Sequence, residues 1–334
     1  MKIIFVDESS KIGGVQSSTF FLAKWIKKKE YASIKIFLPK EGDFTLLCKK
    51  NNIDYINYNS ISPVSSGISF LNDSLRIPNI FAWLYNIFAI IINFLKLKNK
   101  LKIEKPDIVI TKGFYSHIYT GIACKILNIK NICHLQDLIT NRYRGLFIYL
   151  FNIFLQYYSD FIICDGSKIF DNLNKYLKNK SIVIFNGIVI DDFIKNSKLR
   201  NQFRVANCIP HDGYLIGNLA RFTAWKGQLE LLEAFINYSK INRNAFLVLA
   251  GTPMFDRSKY FNIIKKKITD NRLETRVIIP GYITNIKEYL SSLDLYVQPS
   301  KLKDTTPLSL LSSLAIGLPS IISKIDTFDE IVKI

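Results

Sequence analysis

The sequence has few cysteines and none that are paired by spacing. Cys48, Cys124, Cys133, Cys164 and Cys208 are scattered, with no CxxC among them. That excludes a disulfide framework and a thiolate zinc site, and it fits a reducing compartment. Acid is also short. Against 45 Lys and Arg there are 27 Asp and Glu, a net charge of +18. Such a surplus suits a plain solvated surface, an anionic membrane face or lipid-linked substrate, or nucleic acid. The lysines are spread along helices rather than gathered in a stripe with interleaved aromatics, and no nucleic-acid motif is present, so nucleic acid is set aside as a partner. No leader pattern opens the chain: MKIIFVDESS reads as one short apolar strand followed by acids. There is no short-period repeat and no low-complexity tract.

Long hydrophobic runs are missing too. IFAWLYNIFAIIINFL, Ile80–Leu95, is uncharged over sixteen residues. A membrane span needs about 20. The run is followed by Lys96, Lys98, Lys100 and Lys102. A span, a buried domain helix and an interfacial helix all remain open readings. LFIYLFNIFLQYY, Leu146–Tyr158, follows Arg142 and Arg144 and is rich in aromatics. That combination suits either a headgroup region or a core.

What is present is an alternation. The chain has 334 residues, 49% of them hydrophobic and 22% charged, enough for two ordinary domains. Short β-branched runs predict strands at Lys2–Val6, Ser33–Phe37, Ile108–Thr111, Asn131–His134, Phe161–Cys164 and Ser181–Phe185. A second series follows at Tyr214–Leu219, Ala245–Ala250, Arg276–Ile279, Leu295–Gln298 and Pro319–Ile322. Amphipathic segments such as Gln16–Lys29 and Gly227–Tyr238 lie between them. The pattern predicts parallel sheets with helices on both faces, in two α/β doubly wound domains. Residues 1–195 form the first, 196–212 a polar linker, and 213–334 the second. The second series stops at EIVKI, where a helix is under way, so that domain is expected to be incomplete.

Three stretches carry chemistry. GGVQ, Gly13–Gln16, opens a helix after the first strand, where glycine permits close approach and the helix start favours an anion. It is not GxGxxG, so the dinucleotide fingerprint is lacking. RFTAWKGQLELLEAF sets Arg221 and Lys226 on the turn after a strand, and both cations suit phosphate oxygens. In QPSKLKDTTPLSLLSSLAIGLPSIIS, Thr306 suits an N-cap and Pro307 a first helical turn. The hydroxyls of Thr305 and Thr306 and the free N–H groups there suit a phosphate. Asp304 suits sugar hydroxyls. Helix capping and solvated charge are the plain structural alternatives.

GNLARFTAWKGQLELLEAF, the DTTPLSLL…GLPSI segment, VIFNGIVIDDF (Val183–Phe193), GGVQ and CHLQD (Cys133–Asp137) together resemble the retaining GT-B glycosyltransferases of the family 4 group, the glycosyl transferases group 1. The resemblance covers nearly the whole chain and implies two Rossmann-like domains facing each other across a cleft. It implies that Arg221 and Lys226 bind the diphosphate of a nucleotide-sugar donor. Gly13 and Gly14 would approach donor and acceptor, and His134 would lie near the transferred sugar. Asp304 falls on the first acid of an E-x7-E motif, and Thr306, Pro307 and Leu308 lie where amides reach the diphosphate. His134 and Asp304 are thus the expected catalytic residues. The second acid of the motif is Ser312. Where the family holds a ribose with a carboxylate, a hydroxyl gives up roughly 1–2 kcal/mol, about a factor of ten.

The resemblance further implies hexosyl transfer with retention and without metal or cofactor, since no DxD motif stands in a suitable loop. The acceptor would be a glycan or lipid-linked glycan of bacterial surface polysaccharide such as lipopolysaccharide or capsule. The enzyme would sit in the cytoplasm, peripheral on the inner face of the membrane. Relatives continue past EIV, so the chain reads as C-terminally truncated. A catalytically impaired transferase-like protein that keeps a nucleotide-binding fold is the alternative.

Overall fold

The computed structural model describes residues 1–334 except 65–66, 71–74, 137–144, 254–257, 302–303 and 333–334. Asp137, Arg142 and Arg144 therefore lie outside the described residues. The chain divides into two compact units, Met1–Phe185 and Asn186–Ile334.

In the first unit the strands are β1 (Lys2–Asp7), β2 (Ser33–Leu38), β3 (Asp54–Asn57), β4 (Gly67–Phe70), β5 (Leu75–Pro78), β6 (Ile108–Lys112), β7 (Lys130–Leu135), β8 (Phe161–Cys164) and β9 (Ser181–Val183). Seven of them make one sheet in the order β3-β2-β1-β6-β7-β8-β9, and β4 and β5 pair as a separate hairpin. All neighbours in the large sheet run parallel; Phe5, for example, lies beside Ile36 on one side and Ile110 on the other. The central strands are buried on both faces, which is why they read as unbroken β-branched runs. β3 escapes that signature. It is an edge strand, none of its four residues is fully buried, and Asp54 and Asn57 bracket only two apolar residues.

One face of this sheet is covered by the helix Gly14–Lys28, whose Phe20, Ala23 and Ile26 pack on Ile3, Phe5 and Ile36. The other carries the helices Ile80–Glu104 and Phe114–Leu127, with Leu97, Leu101 and Tyr119 on Ile4, Val6 and Val109. The helix Leu146–Tyr158 joins the same layer. Its Phe147 and Phe151 rings stack about Phe114 at 5.1 and 5.0 Å.

The second unit has β10 (Tyr214–Leu219), β11 (Ala245–Ala250), β12 (Val277–Ile278), β13 (Leu295–Gln298) and β14 (Ser320–Ile322). They form a parallel sheet in the order β12-β11-β10-β13-β14. Residues 196–212, expected to be a linker, instead hold the helix Ser197–Ala206, capped by Asn196. It packs on the helix Ile286–Ser292. Its polar sequence hides a structural core of charge. The Arg204 guanidinium is almost wholly buried. It donates to the carbonyls of Ser292, Pro210, His211 and Gly213 and to Asp294 Oδ2 at 2.8 Å. Arg200 takes the other oxygen, Asp294 Oδ1, at 2.8 Å.

Burial raises the Asp294 pKa, but the Leu215 N–H and the two arginines outweigh it and hold the carboxyl below its usual range. A depressed carboxyl stabilises the fold above its unfolded pKa, about 3.9. That contribution is lost as pH falls through the lower, folded value. Acid unfolding of the wild type is therefore expected to show a limb below about pH 4 that Asp294→Asn flattens. An unchanged limb in urea melts across pH 2.5–6, a range of about that span, would contradict this role.

Candidate functional site

Open parallel sheets bind ligands at the carboxyl ends of strands, where the strand order reverses. In the second unit the reversal falls where β10 lies between β11 and β13. The loops after β10 and β13 carry the residues singled out in the sequence. After β10 the chain passes Arg221, makes a short 3-10 turn at Ala224–Lys226, and enters the helix Gln228–Ile241. After β13 it runs through Ser300 and Asp304 to the helix Leu308–Ala315.

These loops are tied together by charge. The Lys226 ammonium lies 2.7 Å from both oxygens of Asp304. Lys226 is 9% exposed and Asp304 6%. Asp304 also accepts from Ser300 Oγ at 2.6 Å and Gln298 Nε2 at 3.1 Å. Gln298 is fixed in turn by the Tyr296 hydroxyl at 2.6 Å. Thr327 Oγ1 donates to the Asp304 carbonyl at 2.7 Å. The Lys226 ammonium also stands over the Trp225 ring, 4.3 Å from its centroid. Burial lowers the Lys226 pKa, Asp304 pulls the other way, and the nearby Arg221 charge adds to the lowering.

The turn is possible because residue 227 is glycine. Its φ is +73°, and a Cβ there would meet the Pro299 carbonyl oxygen at 1.9 Å. The close approach is what brings Lys226 to Asp304. The backbone seals it with Lys301 N–H donating to the Trp225 carbonyl at 2.9 Å.

Arg221 is exposed, and its carbonyl accepts from Gln228 Nε2 at 2.8 Å. Thr305 is half-buried. The helix begins one residue later than the sequence suggested. Pro307 is its N-cap, Leu308 its first residue, and no described side chain caps it. Thr306, expected as the cap, is buried, and its hydroxyl has no partner among the described residues. The Thr223 hydroxyl is in the same condition. Proline at the cap position offers no side-chain acceptor, which is why the first amides stay uncapped. Ser312 lies one turn into the helix and is 2% exposed.

The remaining predicted residues belong to the first unit. Gly13 is the N-cap of Gly14–Lys28, with extended backbone. A Cβ on Gly14 would meet nothing within 4 Å, so packing does not demand glycine there. His134 is the next-to-last residue of β7, is buried, and has no partner for either ring nitrogen among the described residues. Burial, then the charges of Lys112 and His117, hold its pKa well below the usual range. It is a neutral hydrogen-bonding group and a poor base.

Sequence reasoning missed two neighbours at the reversal point of this sheet. Asp7 and Lys112 end β1 and β6 side by side. Asp7 is fully buried, accepts from Gln16 Nε2 at 2.6 Å and Thr19 Oγ1 at 3.1 Å, and has its pKa raised by that burial. Lys112 donates to Ser18 Oγ at 2.8 Å. Burial lowers its pKa to about 8, against the pull of Asp7 and Asp165. The signal was there: each is a charge closing an apolar strand.

Residues 190–333 match the family described as Glycosyl transferases group 1. An uncharacterized glycosyltransferase of Methanocaldococcus jannaschii is 26% identical over 251 residues, covering 70% of this chain and 59% of the relative. The chain thus spans under two thirds of that relative's length. An Escherichia coli UDP-Gal:alpha-D-GlcNAc-diphosphoundecaprenol alpha-1,3-galactosyltransferase is 25% identical over 313 residues, covering 89% of this chain and 75% of the relative. Among solved structures, Anabaena Alr3699/HepE in complex with UDP-glucose superposes with a TM-score of 0.80 at 18% identity, over 99% of this chain and 82% of that one.

The Lys226–Asp304 pair gives a stability test independent of any ligand. Asp304→Asn leaves a buried ammonium without its counter-charge, at a cost of about 3–5 kcal/mol. The expected result is a lower urea midpoint that Lys226→Met, added in the same chain, largely restores. A double variant no more stable than Asp304→Asn would show that the pair is not what holds these loops.

Residues 190–333 thus resemble the glycosyl transferases group 1, and the two parallel-sheet, Rossmann-like α/β units match the GT-B glycosyltransferase fold.

Proposed function

We propose that the chain is a retaining glycosyltransferase that moves a sugar from a nucleoside-diphosphate donor to a glycan or lipid-linked glycan hydroxyl in surface polysaccharide assembly. The observation that carries this reading is the convergence of Arg221, Lys226, Asp304 and the uncapped helix start on the switch point of the second sheet. In the transfer, the sugar C1–O bond breaks and its electron pair goes to the diphosphate. The acceptor oxygen bonds to C1 and its proton is released. Negative charge grows on the leaving group, so fixed cations and amide donors aimed at it lower the barrier. No metal is called for, since this edge already offers cations and amides.

On this reading the residues have distinct tasks. Arg221 is exposed and can reach an anion directly. Lys226 is already balanced by Asp304, so it acts chiefly as one end of a fixed, buried dipole. Asp304 Oδ2 is taken up by Lys226, Ser300 and Gln298, so a sugar hydroxyl would approach Oδ1, which accepts from Lys226. The buried hydroxyls of Thr306 and Thr223, without a partner among the described residues, are polar groups that a phosphate would satisfy. In the first unit, neutral His134 can accept or donate one hydrogen bond to a sugar hydroxyl. The relatives named in full act with UDP-galactose on a diphosphoundecaprenol-linked sugar or were solved with UDP-glucose, which supports a uridine donor.

A second reading rests on Ser312. Buried, and a hydroxyl where the family resemblance expects an acid, it favours a weakened or inactive enzyme that still binds nucleotide.

Calorimetry with UDP tests the shared part of both. Loss of one charge-assisted contact, about 1.5–3 kcal/mol, weakens binding by roughly tenfold or more, so Arg221→Ala is expected to show at least that. Unchanged affinity would remove the diphosphate from this edge. Transfer or donor hydrolysis by the wild type then separates the active reading from the inactive one.

A further inference from the structure

The helix Ile80–Glu104 is built inside out. Its inward stripe is Ala82, Asn86, Ala89, Asn93, Leu97 and Leu101, all buried. Small and polar residues thus face the protein along its first half. The outward residues are large and apolar. Ile80 is 69% exposed, Phe81 79%, Leu84 60% and Phe88 54%, with Trp83, Ile87, Ile91 and Leu95 also exposed. A water-soluble surface helix has the opposite pattern.

The inward asparagines are committed to the fold. Asn86 donates to the Val64 carbonyl at 2.9 Å and accepts from the Val64 N–H at 2.8 Å. Asn93 makes the same pair with Ile61, at 2.9 and 2.8 Å. By length and composition the helix could cross a membrane. Crossing one would strip these four bonds and leave two amides in hydrocarbon. The helix therefore keeps its place on the fold, and its outer face is what needs a partner.

The second half of the helix says what that partner is. From residue 96 the outer face turns cationic. Lys96, Lys100, Lys102 and Lys105 are exposed. At 1.5 Å per residue the apolar part, Ile80–Leu95, is about 24 Å long and the cationic part starts within one turn of its end. The neighbouring helix Leu146–Tyr158, in the same layer beyond Phe114–Leu127, adds exposed Leu146, Tyr149, Leu150 and Tyr157. Large apolar and aromatic groups beside lysines, on a protein of net charge +18, complement an anionic bilayer surface.

We propose that the outer faces of Ile80–Glu104 and Leu146–Tyr158 dock the first unit on an anionic lipid bilayer. The apolar half enters the headgroup–acyl boundary and the lysines bind the headgroups. The binding is interfacial and involves no spanning segment. It stands apart from the nucleotide site of the second unit, so either proposal can fail alone.

Vesicle flotation of the full chain tests it, with phosphatidylglycerol–phosphatidylcholine vesicles against phosphatidylcholine alone. The chain is expected to float with the anionic vesicles. Phe81→Ser/Phe88→Ser/Ile91→Ser is expected to cut the bound fraction at least tenfold without changing the UDP affinity or the melting temperature. Lys96→Gln/Lys100→Gln/Lys102→Gln is expected to erase the preference for phosphatidylglycerol. Trp83 is a built-in probe. The difference in emission between wild type and Trp83→Phe should shift to the blue with vesicles and be quenched by brominated acyl chains. Chain left at the bottom of the gradient at low salt, or a Trp83 signal untouched by brominated lipid, would overturn the proposal. So would a dimer that the triple serine variant dissolves while vesicles bind neither form, since the face would then belong to a second copy.

Discussion

One buried ion pair organises the edge of the second unit that carries the candidate site. Lys226 and Asp304 lie 78 positions apart in the chain, on the two loops that flank the reversal of strand order. Burying both charges costs several kcal/mol each in desolvation. It is tolerable because the carboxylate is also satisfied by Ser300 and Gln298, and because Gly227 lets the loops approach to contact. The pair locks the turn that presents Arg221 and fixes the loop that leads to the uncapped helix start. Charge here serves position first.

The two units share an architecture but arrange charge differently at their switch points. In the first, Asp7 and Lys112 end adjacent strands and are separately satisfied, the acid by Gln16 and Thr19 and the base by Ser18. Both have pKa values pushed toward neutrality by burial. Beside them, His134 is kept neutral, and neither ring nitrogen has a partner among the described residues. These are buried hydrogen-bonding groups gathered at the strand ends of the first sheet. The second unit, with Arg221 exposed and amides uncapped, is suited to phosphate.

Much of the fold was legible because parallel strands buried on both faces leave plain β-branched runs. All five strands of the second unit and six of the seven in the larger sheet stand where periodicity put them, give or take two residues. β3 did not, since a four-residue edge strand with no fully buried residue leaves no such run. Residues 196–212 looked like a linker because arginine reads as solvent-facing. Only the structure shows Arg204 threaded among four carbonyls and Asp294. The positions of Arg221, Lys226 and Asp304 could be read from the sequence, but the pairing of the last two could not, because it depends on a glycine and a loop crossing. Hydropathy likewise marked Ile80–Leu95 as apolar without revealing that its large side chains point outward, a matter of which stripe the asparagines occupy.

The central claim is that the edge held by Lys226 and Asp304 is where a nucleoside diphosphate binds. A crystal structure of the chain with UDP tests it most directly. The account predicts the diphosphate within hydrogen-bond distance of the Arg221 guanidinium and of amides at the start of Leu308–Ala315, with the Lys226–Asp304 pair intact. A diphosphate bound elsewhere on the chain, with Arg221 uninvolved, would contradict it.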